Sequence, residues 1–303
     1  MSQHSIPVDL FNPGQVFACL GFAELAELLV GPARSAFDWS DPREARFVVE
    51  VDSSVDPFAA ALEFLSEAEV HSLGVPGADL GTEKWKVDTV AIASGDPFPI
   101  PLPESPATLP AVLRARGKSL RLDSWGDGAV PEKLTSRRDN VKFWAGAGGY
   151  PGAALLRDAL DLARDQIARA REKPFELSCP QSSSFRFDWR RDYIPIDIGF
   201  SLNAHGAMQP RGYPLVEVLA LVGLSHARPQ REHKLSYRYF VCGRDASSGL
   251  SIDDVLLPTP LLRASLGTPS LPFPTRAFRM RLDWPGQENQ ARCITTVDEE
   301  IVQ

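Results

Sequence analysis

The sequence predicts an α+β fold: a mixed, largely antiparallel sheet with a buried N-terminal helix and a second long helix, and no helical bundle at the C-terminus. Three observations carry this expectation. Residues 13–30 form a helical stretch that is apolar on nearly every side. Strand-like and helix-like segments then succeed one another without the regular alternation of a parallel α/β sheet. The last third reads as strands separated by proline-rich turns. With 303 residues, 44% hydrophobic and 23% charged, the chain can support a sizeable core, and its 26 prolines predict irregular connections between short elements.

Taken in order, the first helix has the clearest start. Asn12 is placed to accept from a free backbone N–H, and Pro13 occupies the first helical position, where its missing N–H costs nothing. Val16, Phe17, Leu20, Phe22, Leu25, Leu28 and Leu29 cover most of the surface, with Glu24 and Glu27 marking a wet stripe, so the helix must be nearly enclosed. Gly31-Pro32 ends it. Residues 46–51 read as a strand. Asp56-Pro57 repeats the cap-and-proline start of a helix reaching about His71. Residues 87–93 read as a strand, Pro97 to Pro110 as a connection, and 118–125 as a half-buried strand by their alternation.

Residues 126–149 are polar, basic and glycine-rich, the composition of a long surface loop. A second long helix is expected from Pro151 to Arg171. Its apolar face carries Leu156, Leu160, Ala163, Ile167 and Ala170, and Arg157/Asp161 and Asp165/Arg169 are spaced as ion pairs on the other. Strand candidates at 174–179 and 184–189, a short apolar helix at 215–224, and strands at 235–242, 276–284 and 290–297 complete the chain. The expected organisation is an α+β region at 1–125, the basic loop at 126–150, and a helix plus β-rich region at 151–303.

Composition and motifs narrow the chemistry. A net charge of −7 argues against a free-standing DNA-binding protein but allows a subunit whose partners neutralise most phosphates. Cys19, Cys179, Cys242 and Cys293 form no CxxC pair, which points to reduced thiols in a cytoplasmic protein. The stretch Val16 to Val30 is short for a membrane span and carries two glutamates, so no membrane association is expected. Gly117-Lys118-Ser119 lacks the glycine a phosphate loop needs at position 112, which is Val112, and Gly146, Gly148 and Gly149 do not complete a dinucleotide fingerprint because position 151 is Pro151. His226 and His233 have no companion ligands for zinc. No cofactor, no metal and no catalytic residue is expected.

Three segments concentrate basic and aromatic residues. Lys133 to Trp144 contains Lys133, Arg137, Arg138, Asn140, Lys142 and Trp144, and runs into Gly146, Gly148 and Gly149. Phe185 to Tyr193 contains Arg186, Arg190 and Arg191, and Arg228 to Tyr239 contains Arg228, Arg231 and Lys234. Cations neutralise phosphates and aromatic faces stack on bases, so all of these are candidate nucleic-acid contacts. Core packing for the aromatics and pairing with Asp139, Asp188 and Asp192 for the arginines is the competing reading for each segment.

The opening run Ile6 to Leu29 (IPVDLFNPGQVFACLGFAELAELL) resembles the N-terminus of the large subunits of subtype I-U (I-G) CRISPR Cascade effector complexes, of the Cas family numbered eight. Three further runs are similar in the same order: Lys142 to Gly146 (KFWAG), Phe185 to Asn203 (FRFDWRRDYIPIDIGFSLN) and Tyr213 to Pro229 (YPLVEVLALVGLSHARP). The resemblance implies a non-catalytic subunit that works with crRNA and target DNA, beside backbone and handle-binding subunits. Such a subunit reads the PAM on duplex DNA, helps open it and recruits a helicase–nuclease, while guide pairing reads the sequence. Many large subunits end in a helical bundle. The β-rich 235–303 region departs from this and implies a separate small subunit or a different handling of the displaced strand. A crRNA-binding or crRNA-processing subunit of the same system is the alternative, with His226 and His233 its candidate acid–base groups; an adaptor without nucleic-acid contact is a third.

Within this reading the loop from Arg137 to Gly149 is the sharpest candidate. Its glycines would let backbone approach a groove, Asn140 suits a base edge, and Lys142 or Trp144 suits a wedge between base pairs. The helix near Pro151 would direct its free N–H groups at a phosphate. A core Trp144 with the glycines forming a turn is equally compatible with the sequence.

Overall fold

The fold is seen in a computed structural model that describes residues 1–74, 87–91, 111–122, 129–130, 135–136, 152–181, 184–190, 210–233, 235–283 and 293–301. It is α+β, with mixed but largely antiparallel sheets. The N-terminal part runs β1 (Ser2–Pro7), α1 (Pro13–Leu29), β2 (Ala33–Asp38), β3 (Arg46–Val51), α2 (Pro57–Glu67), β4 (Glu69–Gly74), β5 (Thr89–Ala91), β6 (Ala111–Ala115) and β7 (Lys118–Leu122). Short strands β8 (Ala129–Val130) and β9 (Thr135–Ser136) pair with each other. The rest runs α3 (Gly152–Ile167), β10 (Cys179–Pro180), β11 (Arg211–Gly212), α4 (Pro214–Gly223), β12 (Gln230–His233), β13 (Ser236–Arg244), α5 (Ile252–Val255), β14 (Leu257–Pro258), α6 (Thr259–Ser265), β15 (Thr275–Asp283) and β16 (Cys293–Glu300).

The main sheet has the order β1-β3-β2-β13-β15-β16, with β12 against β13 and β14 against β2. Among the described residues only the β2–β13 pairing in it is parallel, and this pairing joins strands from the two ends of the chain. A smaller sheet has the order β5-β4-β6-β7. Regions 1–125 and 151–303 thus share one sheet and one hydrophobic core.

Helix α1 sits at the centre of that core. The Asn12 side chain caps it by accepting from the Gln15 N–H at 3.4 Å. Every residue from Pro13 to Ala26 is buried, which an all-round apolar surface requires. Glu24 does not face water as expected: α6 supplies Arg263, which donates to both carboxylate oxygens, and only Glu27 is exposed. Helix α4 is buried along its whole length and crosses α1 at close range. A Cβ on Gly21 would lie 2.1 Å from the Leu219 carbonyl oxygen, and one on Gly223 would lie 2.2 Å from that of Phe17. Glycine at both positions is what lets the two backbones touch.

Helix α3 buries the expected face, Leu156 through Ile167, but its charges pair differently. Asp161 accepts from Arg164 at 3.1 Å and Arg157 pairs with its neighbour Asp158. Arg164 also reaches the carbonyls of Ser66 and Ala68, the end of α2. That helix stops at Glu67 rather than His71, and His71 lies in β4, paired with Val112. Residues 174–176 form a 3₁₀ turn, not a strand. Residues 184–189 are not a strand either: the N–H groups of Phe187 and Asp188 donate to the Glu217 carboxylate at 3.0 and 3.2 Å instead of to a neighbouring strand, and Arg186 has φ 64°. Gly117-Lys118-Ser119 is the turn and first residues of a hairpin, with Arg116 and Gly117 both at positive φ, the signature of a type I′ turn. Among the described residues, no helix is long and apolar enough to cross a membrane.

Candidate functional site: a buried polar node and the cleft beside it

Three sequence segments meet at the start of α1. Asn12 caps the helix with its oxygen and donates its amide to Asp188 at 3.0 Å. Pro13 fixes the first turn, and Gly14 leaves no room for a side chain, since a Cβ there would lie 2.8 Å from the Phe187 carbonyl oxygen. Gln15 reaches back to accept from the Asp9 N–H at 2.8 Å, which holds the entering chain. Each residue of the Asn-Pro-Gly-Gln sequence therefore has a separate structural task.

Asp188 is buried, and a charge there needs partners. Arg190 supplies them, donating from Nη2 to Oδ2 at 2.7 Å and from Nε to Oδ1 at 3.1 Å. The same guanidinium reaches Glu176 at 3.0 Å and the Phe175 carbonyl at 2.7 Å. It lies over the Tyr213 ring at 3.6 Å, a cation–π contact. Burial opposes its charge, but the hydrogen bonds and charge of Asp188 outweigh this, with Tyr213 and Glu176 adding to them, so its pKa sits above the ordinary arginine value. From α4, Glu217 holds the 187–188 backbone.

Beside the node opens a cleft of about 600 Å³. Its walls are the β1–α1 connection, the β2–β3 connection at 39–45, residues 173–176, Arg190, and Arg276 of β15. Phe11 is exposed on its wall, Trp39 is half-buried, and Arg43 and Lys173 are exposed.

Of the residues singled out in the sequence, Lys133, Arg137, Arg138, Asn140, Lys142, Trp144, Gly146, Gly148, Gly149, Arg191 and Lys234 lie outside the described residues. Arg190 lines the cleft with its charge balanced inside the fold. Arg186 is half-buried, and the core rings of its sequence neighbours Phe185 and Phe187 stack on each other at 5.7 Å. Arg228 donates to the Ala227 carbonyl, and Arg231 is exposed in β12 opposite Tyr237. Phe185, Phe187, Tyr237 and Tyr239 are core residues and offer no face to a base. Arg238 belongs to a surface quartet with Glu232, Arg279 and Glu300, in which cations and carboxylates alternate. His226 and His233 are exposed. Among the described residues no group of three or more His, Cys, Asp or Glu is placed to hold a metal ion, and the four cysteines are free and buried.

The cleft residues Phe11, Trp39, Arg43 and Lys173 carried no pattern in the sequence. They come from three connections far apart in the chain, and only the fold places them together. No protein-family profile, curated protein or solved structure matches the chain.

Proposed function

We propose that the chain is a non-catalytic subunit of a type I (subtype I-U) CRISPR surveillance complex that recognises the PAM on duplex DNA, aids strand separation and helps recruit the helicase–nuclease. One observation carries the reading. Parts of three runs that resemble the large subunits interlock in space: Asn12 and Gly14 from the first, Phe187 to Arg190 from the second, and Tyr213 and Glu217 from the third. Residues some 200 positions apart that match in order and depend on one another physically are what a shared fold demands. The net charge of −7 fits a subunit whose partners supply most of the phosphate neutralisation.

The test uses the assembled complex. Lys142→Ala and Gly148→Asp are expected to reduce PAM-dependent duplex binding while sparing assembly and binding of a single-stranded target, which needs neither PAM nor melting. Unchanged duplex binding would remove the 137–149 segment from DNA recognition. Equal losses on both targets would assign it to general backbone contacts. The purified chain is expected to leave RNA and DNA intact; RNA cleavage by it, abolished by changing His226 or His233, would favour a crRNA-processing subunit instead.

A further inference from the structure

We propose that the cleft beside the start of α1 binds one unpaired nucleotide carrying an amino-bearing base. Its size, about 600 Å³, is that of a site for a single small molecule and not for a duplex. The charges lining it divide into two sets. Arg190 is held by Asp188 and Glu176, Arg276 by Glu299, and Glu44 by Arg46, so these are neutralised within the fold. Arg43, Lys173, Asp9 and Asp41 are exposed and make no ion pair among the described residues.

The two acids are nonetheless fixed. Asp9 accepts from the Phe11 N–H at 2.9 Å and Asp41 from the Arg43 N–H at 2.8 Å, each through Oδ1. Each therefore keeps acceptor capacity for a ligand, because an ionised carboxylate has about four lone-pair sites. Phe11, 37% exposed as a residue, is held edge-on to Phe278 at 5.1 Å with Arg276 over its ring at 5.7 Å, and Trp39 forms another part of the wall.

A ligand that satisfies this lining needs an anionic group for Arg43 and Lys173, a flat face for Phe11 or Trp39, and N–H donors for Asp9 or Asp41. A nucleotide whose base bears an amino group has all three. Inorganic phosphate has only the first. A longer polyanion is disfavoured, because the unpaired cations are matched by as many unpaired carboxylates and further phosphates would meet Asp9 and Asp41. The inference goes beyond membership in a complex, and its test uses the purified chain alone, so either proposal can fail without the other.

The experiment is calorimetric titration with guanosine 5′-monophosphate, cytidine 5′-monophosphate, uridine 5′-monophosphate and inorganic phosphate. The two amino-bearing nucleotides are expected to bind one to one, and at least five times more tightly than the uridine nucleotide or phosphate. Arg43→Ala with Lys173→Ala should weaken that binding at least tenfold with an unchanged melting temperature, since both side chains are exposed. Asp9→Asn with Asp41→Asn should remove the preference over uridine while keeping the residual affinity for phosphate. Absence of nucleotide binding at millimolar concentration, equal affinity for inorganic phosphate, or full affinity in the Arg43/Lys173 variant would each overturn the proposal.

Discussion

At the scale of single residues, the polar groups of the node depend on one another more than on solvent. Asp188 accepts from Asn12, from the Arg190 N–H and from the Arg190 side chain, and removing it takes from a half-buried guanidinium its buried carboxylate, leaving the exposed Glu176, and loosens the α1 cap. Breaking a buried ion pair from one side costs about 3–5 kcal/mol, and the partial exposure of Arg190 places this case near the lower end. Asp188→Ala is therefore expected to lower stability by about 3 kcal/mol in urea unfolding; an unchanged midpoint would show that the node does not stabilise the fold. Glu50 behaves differently. Burial alone would raise its pKa, but hydrogen bonds from Arg34 and Gln3 and the charge of Arg34 hold it below the ordinary glutamate value of 4.5. A carboxyl whose folded pKa is depressed contributes stability that is present above its unfolded value and lost as pH falls through the folded one. The melting temperature of the parent should thus fall as pH drops below 4.5, and Glu50→Gln should flatten that fall; identical slopes would exclude Glu50 as a source.

At the scale of elements, the crossing of α1 and α4 is set by two glycines. A methyl group at Gly21 would overlap the Leu219 backbone, which cannot rotate away as a side chain could. Overpacking a tight core costs about 1–3 kcal/mol and sometimes more. Gly21→Ala is expected to destabilise by about 3 kcal/mol, whereas Gly31→Ala, at a position with nothing nearby, should show only the strain of its positive φ. Equal effects in thermal melts would contradict the close crossing. The ease of reading these elements from the sequence varied for physical reasons. Helix α1 was legible because its cap, its proline and its apolar surface are local signals. The central strand β2 was not: Ala33 and Ser35 are small, and Arg34 and Asp38 are tolerated only because Glu50 and Arg244 reach them from other strands. The extended look of 184–189 misled because Glu217, far along the chain, takes the hydrogen bonds a partner strand would have taken.

At the scale of the whole molecule, both ends of the chain build one sheet, with β2 beside β13, and Asn12, Asp188 and Glu217, far apart in the chain, are tied together where α1 begins. Their side chains are largely committed to the fold. The sequence offered Arg190 both as a candidate nucleic-acid contact and as a partner for a neighbouring aspartate, and the structure shows that pairing, with Asp188, together with Glu176 and Tyr213. The cleft next to it was invisible in the sequence because its lining comes from separate connections with no shared pattern. Recognition of DNA is proposed to rest on the 137–149 segment, with the node as scaffold. The most direct test of this account is to express the tagged chain together with the other subunits of a subtype I-U effector complex and a repeat array, capture it, and sequence the RNA that comes with it. The account predicts co-purification of the other subunits and of crRNA of uniform length in fixed proportion to the chain; capture of the chain alone, free of guide RNA while the remaining subunits assemble on it, would contradict it.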